Sequence, residues 1–420
     1  MIVETTSGRV RGVPDGRVGA YLGIPFARAT RFGPPQAATP WQGVREAVAP
    51  GPAAPQPPSR MAPVMGPGAA PQQSEDCLSL NVWAPAGSGH PVLVFIHGGG
   101  FLTGSGGLPW YDGAEFAAQG DIVVVTANYR LGALGYLRLP GVCEGNMGLS
   151  DTLAALNWVR DNISAFGGDP EKVTVAGQSA GAISTMALLS GNRARGLVRR
   201  AIVQSAPLGM PPAAPDAAAD IGRMLLRELD IGPNRAERII DVPVARLLAA
   251  QGAVARRTAG PTSPVPPFQL VADGTMVAAD LVEAIERRGA DGVEILMGTT
   301  RDEAAAFFAG DRNAVATVTD RMFHEPTRQL AKSLTDRGEP PWLYRFDWHP
   351  GTSPFGACHG IELPFLLGHA MAWRHAPMLN GVRPAGLVAE VRAGWTGFVR
   401  HGDPGWARGT THHFADRAVQ

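Results

Sequence analysis

Cysteine, aromatic residues and net charge are all scarce in this chain of 420 residues. The three cysteines, Cys77, Cys143 and Cys358, are odd in number and widely spaced, which argues against a disulfide framework and a metal site. Lysine plus arginine and aspartate plus glutamate both number 37, and aromatic residues make up only 7%. A basic surface for nucleic acid or anionic lipid is therefore not expected. No uncharged apolar run reaches the ~18 residues that cross a bilayer, so no membrane span is expected.

The first residues of the chain bear on the cellular location of the protein, and its glycine and proline content bears on the regularity of its fold. Residues 1–8 show neither the basic nor the apolar stretch of a secretory signal, so a cytoplasmic protein is expected. The 53 glycines and 37 prolines predict long irregular segments around a compact sheet. Residues 50–73, rich in proline, alanine and glycine, predict a surface loop.

Short apolar runs alternate with helical patterns along most of the chain. Strands are expected at residues 78–83, 91–96, 121–128, 173–176, 201–204, 293–297 and 342–348, and helices at 113–119, 151–163 and 387–400. This alternation predicts an α/β fold with a central, mostly parallel sheet flanked by helices. Helical periodicity from about 215 to 258 predicts a helical cap. We expect one domain, residues 1–420, with insertion helices at roughly 210–290 and 304–340.

The pentapeptide Gly177-Gln178-Ser179-Ala180-Gly181 has the pattern G-x-S-x-G. A short apolar strand precedes it and a run of small residues with helical character follows. In that context the serine lies on a sharp strand-to-helix turn that exposes its hydroxyl above the sheet. The five residues alone are weak evidence, and the strand, the helix and suitable partners elsewhere are what strengthen them.

A serine nucleophile needs a histidine base and an acid that orients the histidine, and in this architecture both follow the serine. Asp302 and Glu303, just beyond the strand at 293–297, compete for the role of the acid, and position does not choose between them. Either carboxylate could instead cap the short helix predicted after them.

Position leaves several histidines downstream of the serine: His324, His349, His359, His369 and His375. His359 is favoured because it lies between two glycines in a loop after the strand at 342–348, where a base can reach the serine. His412 and His413 are expected near a frayed terminus.

An oxyanion hole requires backbone N–H groups that point at the developing negative charge. Gly98-Gly99-Gly100 follows a buried strand and allows such a close approach, and Ala180, the residue after the serine, offers another donor.

Taken together, these residues resemble the type-B carboxylesterases, the serine esterases that include the cholinesterases, and in particular the bacterial para-nitrobenzyl-esterase-like branch. The matching stretches are 22–27, 74–78, 97–101, 128–132, 145–149, 166–170, 177–181, 298–303, 356–360 and 402–404. The resemblance implies an α/β-hydrolase fold, hydrolysis of small-molecule carboxylic esters through an acyl-enzyme, and no cofactor or metal. It makes no prediction of the oligomeric state.

Residue by residue, the resemblance implies that Ser179 is the nucleophile, His359 the base and Glu303, not Asp302, the acid. The oxyanion donors that it implies are Gly99, Gly100 and Ala180.

Other matches with the family concern residues around the site. The resemblance implies buried ion pairs between Arg31 and Glu75 and between Arg130 and Asp151, and a hydrogen bond from Ser205 to the acid. By position alone, four apolar residues are expected near the substrate pocket: Phe101, Leu102, Leu208 and Met210.

The chain departs from the family at several points. Cys77 has no cysteine near Pro55 to pair with, so a free buried thiol is expected. Gln178 stands before the serine where cholinesterases carry glutamate, and no aromatic-rich gorge is evident, which makes a choline ester an unsuitable substrate.

Two alternatives to ester hydrolysis remain open. The same machinery serves carbamate or amide hydrolysis or acyl transfer, and some relatives are non-catalytic adhesion proteins, although those typically lose a triad residue.

Overall fold

One large sheet of ten strands runs through the described part of the chain. The computed structural model of the protein describes residues 1–68, 71–191, 193–260, 265–288 and 292–415. The strands are β1 (Ile2–Thr5), β2 (Gly8–Arg11), β3 (Val13–Asp15), β4 (Val18–Pro25), β5 (Ala27–Arg28), β6 (Gln36–Ala37), β7 (Val44–Glu46), β8 (Ser79–Pro85), β9 (His90–Ile96), β10 (Val123–Ala127), β11 (Arg138–Leu139), β12 (Cys143–Glu144), β13 (Gly168–Gln178), β14 (Arg200–Gln204), β15 (Glu294–Thr300), β16 (Trp342–Phe346) and β17 (Thr411–Phe414).

Helices connect the strands and cover both faces of the sheet. They are α1 (Ala62–Met65), α2 (Ala114–Gly120), α3 (Gly132–Tyr136), α4 (Met147–Asn162), α5 (Ala180–Ser190), α6 (Pro215–Glu228), α7 (Val244–Thr258), α8 (Leu281–Arg288), α9 (Arg312–Thr319), α10 (Glu325–Asp336), α11 (Leu363–Leu366), α12 (Ala370–Trp373) and α13 (Ala385–His401). A π-helical turn, Asp320–His324, joins α9 to α10. None of the helices in the described ranges is long and apolar enough to cross a membrane.

The large sheet is parallel over most of its width and antiparallel at one end. Its strand order is β17-β16-β15-β14-β13-β9-β10-β8-β4-β3. The strands from β17 to β10 pair in parallel, whereas β8, β4 and β3 pair antiparallel. This is the α/β-hydrolase architecture that the sequence predicts, and the prediction is confirmed.

The core lies on both faces of the sheet because alternate residues of a buried strand point in opposite directions. In β9, Val92, Val94 and Ile96 pack on the face covered by α4 and α5. Leu93 and Phe95 pack on the other face, with α2 and α13. A strand buried on both faces reads as a continuous apolar run, which is why β9 was recognisable in the sequence.

Two expectations about local structure were wrong. His412 and His413 do not lie in a frayed terminus but in β17, which pairs with β16 along the edge of the sheet. Residues 50–73 are not a simple surface loop, since Ala53, Ala54 and Pro55 are buried. The segment is closed at its base by a bridge between Ala53 and Gln73.

Helices α6, α7 and α8 fall within 210–290, and α9 and α10 fall within 304–340. These are the ranges in which the sequence predicts insertions. The description of the chain as one domain carrying two such insertions stays a prediction.

Candidate active site

Three strand ends bring the candidate catalytic side chains to one edge of the sheet. Ser179 follows β13 directly, Glu303 lies three residues after β15, and His359 lies in the loop after β16. Because these strands are parallel neighbours through β14, their carboxyl ends meet at the same edge, where α/β sheets bind ligands.

The turn at Ser179 is strained. Its backbone has φ 57° and ψ −120°, a conformation that a residue with a side chain rarely adopts. The turn is held by the N–H of Ser179, which donates to Gln204 at 2.9 Å. A Cβ at Gly177 would lie 2.3 Å from the backbone of Gly181, and one at Gly181 would lie 2.1 Å from the carbonyl oxygen of Ile96. The two glycines are therefore a steric requirement of the turn.

The glycine loop after β9 packs directly against this turn. A Cβ at Gly98 would lie 3.2 Å from the Cβ of Ser179. Gly99 and Gly100 have positive φ, 113° and 62°. The carbonyl of Gly99 accepts from Thr103 at 3.1 Å, which folds the loop back on itself. Within the described residues, the N–H groups of Gly99, Gly100 and Ala180 donate to no protein acceptor.

His359 is fixed by Glu303 on the side away from the serine. Nδ1 of His359 donates to Oε2 of Glu303 at 2.6 Å, and both side chains are buried. The other carboxylate oxygen of Glu303 accepts the N–H of Thr300 at 2.8 Å. Since Nδ1 carries the hydrogen of this bond, Nε2 is left as the acceptor nitrogen of the ring.

The amide of Gln178 occupies the acceptor nitrogen of His359. Nε2 of Gln178 lies 3.1 Å from Nε2 of His359 and donates to it. Among the described contacts, no hydrogen bond joins Ser179 to His359. Catalytic hydrogen bonds are often long or misaligned until the substrate is bound.

Asp302, the competing carboxylate, points elsewhere. It pairs with Arg301 at 2.8 Å and accepts the N–H of Ala357 at 2.9 Å. Burial raises the pKa of Asp302, but the Arg301 guanidinium and the Ala357 N–H outweigh burial and hold the pKa below its ordinary value. The geometry therefore brings Glu303, and not Asp302, to the histidine.

Ser205 does not make the hydrogen bond that the resemblance implies. Its hydroxyl is buried and has no partner among the described residues. One oxygen of Glu303 accepts from the N–H of Thr300 and the other accepts from His359.

A second buried carboxyl, Glu362, lies beneath the site and was not found by sequence reasoning. Gln204 donates to it at 3.4 Å. Burial first, and then the negative charge of Glu303, raise the pKa of Glu362 to about 8, so this carboxyl is protonated at neutral pH. Its position three residues after His359 was the available signal.

Two cavities meet at Ser179 and His359. The larger has a volume of about 450 Å³ and the smaller about 30 Å³. Of the four predicted pocket residues, Phe101 and Met210 line the smaller cavity. Leu208 lines a different cavity, which Ser179 does not line. Leu102 lines none of the cavities described here.

Most of the larger cavity is lined by residues that sequence reasoning missed. We call residues 56–68 and 71–73 the pocket wall, because they supply much of the lining. The remainder includes Leu108, Trp110, Tyr111, Phe307 and Leu363. The proline-rich wall has no periodicity, and a single arginine, Arg60, among apolar residues was the only local signal.

The two implied ion pairs are both formed, but only one is buried. Arg130 and Asp151 are 5% and 0% exposed and lie 2.7 Å apart. The carboxylate of Glu75 is 36% exposed, so its pair with Arg31 is only half-buried. The expectation of a second buried pair was therefore wrong.

A sequence model of the carboxylesterase family matches residues 1–318 and 309–415 of the chain. The chain is similar to a probable N-octanoylanthranilate hydrolase of Rhodococcus erythropolis, with 42% identity over 96% of this chain and 94% of the relative. It is also similar to the para-nitrobenzyl esterase of Bacillus subtilis, with 35% identity over 96% of this chain and 90% of the relative.

Solved structures agree with these sequence matches. A thermophilic para-nitrobenzyl esterase superposes with a TM-score of 0.91 at 32% identity, covering 99% of this chain and 96% of its own. Another para-nitrobenzyl esterase structure superposes with a TM-score of 0.90 at 33% identity, covering 98% of this chain and 93% of its own.

Proposed function

The chain belongs to the carboxylesterase family and is a carboxylic ester hydrolase, and from this premise we propose that it works through a Ser179–His359–Glu303 triad and an acyl-enzyme. The observation that carries the proposal is the 2.6 Å bond between Nδ1 of His359 and Glu303, at the strand edge where Ser179 lies on its strained turn.

Glu303 orients the imidazole and stabilises its positive charge, so Nε2 of His359 acts as the base. His359 takes the proton of Ser179 as the hydroxyl attacks the ester carbonyl, and it then gives that proton to the leaving alcohol. In the second half of the reaction, His359 activates a water molecule, which attacks the acyl-enzyme and releases the carboxylic acid product. For this sequence to begin, substrate binding has to draw Nε2 of His359 away from Gln178 and toward Ser179.

The N–H groups of Gly99, Gly100 and Ala180 hold the oxyanion in this mechanism. They have no competing acceptor within the described residues, and the glycine loop packs against the serine turn. Removing one donor from such a site costs on the order of 100- to 1000-fold in kcat.

Amide hydrolysis is a second candidate activity of the same residues. The observation that favours it is the similarity to a relative named for cleaving an N-octanoyl bond. An amide leaves as an amine, which must be protonated as it departs, and His359 is the group that can do so. The substrate is a small molecule in both cases. A cytoplasmic location stays a prediction.

The test is a burst assay with p-nitrophenyl acetate and butyrate, followed by organophosphate labelling and peptide mass spectrometry. We expect a burst that the reagent blocks, with the adduct on Ser179. Ser179→Ala should lower kcat by on the order of 10⁴ or more.

Ser164→Ala is the matched control, because Ser164 is an exposed serine in the short 3₁₀ helix that follows α4. It should keep wild-type turnover. Persistent turnover in Ser179→Ala, or an adduct on another residue, would remove Ser179 from the mechanism.

A further inference from the structure

The two cavities that meet at Ser179 differ strongly in size, about 450 Å³ against about 30 Å³. A space of about 10–15 Å³ holds one water-sized group, so the smaller cavity holds about two. A carbon of an aliphatic chain with its hydrogens is similar in size to such a group. The smaller cavity can therefore take only a short chain, whereas the larger cavity can take a bulky one.

The orientation of His359 distinguishes the two cavities chemically. Its Nε2, which transfers the proton in the proposed mechanism, contacts Gln178, and Gln178 lines only the larger of the two. The face of the imidazole packs instead against Phe323, whose ring centre is 5.2 Å away and which lines only the smaller cavity. A leaving oxygen must lie at Nε2 to be protonated. The leaving group therefore belongs in the larger cavity and the acyl group in the smaller one.

Two methionines lie between the smaller cavity and further space. Met210 also lines a cavity of about 430 Å³, and Met322 also lines one of about 530 Å³. Among the described residues that line the smaller cavity, Met210 is the only one shared with the first of these spaces and Met322 the only one shared with the second. Each methionine thus separates the smaller cavity from a space many times larger.

The segments that carry the two methionines are joined to each other and to the sheet. The N–H of Gly209 donates to the carbonyl of Met322 at 3.0 Å. Met322 belongs to the π-helical turn Asp320–His324, a type of turn that is frequent at functional sites. At the end of this turn, Nε2 of His324 donates to the carbonyl of Thr300 at 2.9 Å, at the end of β15. These bonds fix where the methionines lie relative to the strand ends that carry the triad.

We propose that Met210 and Met322 are the end stops of an acyl site, and that they restrict this hydrolase to acyl groups of about two or three carbons on bulky apolar alcohols. The inference rests on the proposed function, because it takes His359 as the group that protonates the leaving oxygen. The carbonyl carbon is bonded to Ser179 where the cavities meet, so about one or two further carbons fit into the smaller cavity.

The lining of the larger cavity suits the alcohol part of such an ester. Its apolar members include Met65, Leu108, Trp110 and Leu363. Among the described residues that line it, none is an aspartate or a glutamate. An alcohol with a long hydrocarbon chain would therefore bury apolar surface in this cavity, which favours its binding.

The test compares two isomeric esters that carry the same six-carbon chain on opposite sides of the ester bond. Hexyl acetate has the chain on the alcohol, and ethyl hexanoate has it on the acyl group. The measured quantity is the side ratio, which is kcat/KM for hexyl acetate divided by kcat/KM for ethyl hexanoate. In the wild type the side ratio should be about ten or more, because even one methylene that does not fit an apolar pocket can cost about tenfold.

The variants are judged by the chain ratio, which is kcat/KM for p-nitrophenyl hexanoate divided by kcat/KM for p-nitrophenyl acetate. The leaving group is the same in both esters, so the chain ratio reports on the acyl site. Met210→Ala and Met322→Ala should each raise it about tenfold or more, because each joins the acyl site to a neighbouring cavity. Met65→Ala, at a methionine that lines only the larger cavity, should leave it unchanged. Met371→Ala, at an exposed methionine of α12, should leave both ratios unchanged.

A wild type that cleaves ethyl hexanoate as fast as hexyl acetate would overturn the proposal. So would an unchanged chain ratio in both end-stop variants, or an equal change of kcat/KM on every ester, which indicates a structural role only. If Met210→Ala does not fold, Met322→Ala decides, since Met322 is only half-buried. A chain ratio that rises in Met65→Ala instead would place the acyl group in the larger cavity. Failure of the proposed function looks different, because the organophosphate would then leave no adduct on Ser179.

Discussion

The floor of the active site and the pocket wall are built in different ways. The floor consists of the turn at Ser179, the glycine loop and residues 300–303 after β15, all attached to neighbouring strands of the sheet. Its groups are placed by backbone contacts so close that glycine is required at 177 and 181. The pocket wall is a proline-rich segment that contributes side chains, and it is held by backbone bonds at its base and by side-chain hydrogen bonds to the glycine loop.

Gln56 shows how the pocket wall is held. Its side-chain amide accepts from the N–H of Gly104 at 2.7 Å and donates to the carbonyl of Gly104 at 2.9 Å. This pair of bonds ties the wall to the end of the glycine loop. The difference teaches that the floor is fixed by backbone geometry, which tolerates little change, whereas the pocket wall contributes side chains that can be replaced singly.

The strongest way to break the floor is to remove the charge that orients His359. Glu303→Gln should lower kcat by on the order of 10³- to 10⁴-fold, because the amide no longer favours the Nδ1–H tautomer or stabilises the imidazolium. Asp302→Asn is the matched change on the adjacent residue and should cost less than about tenfold, since Asp302 contacts Arg301 and Ala357 instead. Steady-state kinetics with p-nitrophenyl butyrate measures both. If Asp302→Asn were the more damaging change, the acid would be misassigned.

The two ion pairs allow a buried charge pair to be compared with a half-exposed one by the free energy of unfolding that each contributes. Asp151→Asn should lower the free energy of unfolding by about 3–5 kcal/mol, because it leaves the buried Arg130 guanidinium without its counter-charge. Glu75→Gln, in the half-exposed pair beside the pocket wall, should cost at most about 1 kcal/mol.

Urea midpoints and melting temperatures of the two variants measure this difference. Equal losses would contradict the view that the buried pair contributes more to stability than the half-exposed pair.

The last expected effect is a pH dependence of stability that comes from the buried carboxyl of Glu362. The pKa of Glu362 is raised by burial and by Glu303 from an ordinary 4.5 to about 8, so the folded protein binds this proton more tightly than the unfolded chain. The resulting stability is fully present below about pH 4.5 and is lost as pH rises through about 8.

Glu362→Gln has no proton to lose, so the melting temperature of the wild type should fall relative to the variant between these pH values. The difference should level off above about pH 8. Parallel pH profiles for the two proteins would show that Glu362 does not titrate in this range.

The floor could be predicted from the sequence to a large extent, and the reasons are physical. Gly177 and Gly181 mark the serine turn because no other residue fits there, and the apolar run of β9 marks a strand buried on both faces. Position could not choose between Asp302 and Glu303, since neighbouring residues lie equally close to a strand end. The resemblance to the family pointed to Glu303, and the geometry agrees with it.

The wall could not be predicted, because proline and glycine impose no periodicity that reveals which side chains point inward. Arg60 approaches His359 through Phe307, which lies far away in the sequence. Strand β17 was missed because its four residues include two histidines and lie close to the end of the chain. The resemblance implied a hydrogen bond from Ser205 to the acid, but the Ser205 hydroxyl has no partner among the described residues.

The two ends of the segment that carries the pocket wall meet. The N–H of Ala53 donates to the carbonyl of Gln72 at 2.8 Å, and the N–H of Ser74 donates to the carbonyl of Ala53 at 3.0 Å. A loop closed in this way can be lengthened, shortened or exchanged at little entropic cost. For protein engineering, the segment that leaves and returns at this bridge is thus a cassette to exchange between relatives, while the strand ends that hold Ser179, Glu303 and His359 stay in place.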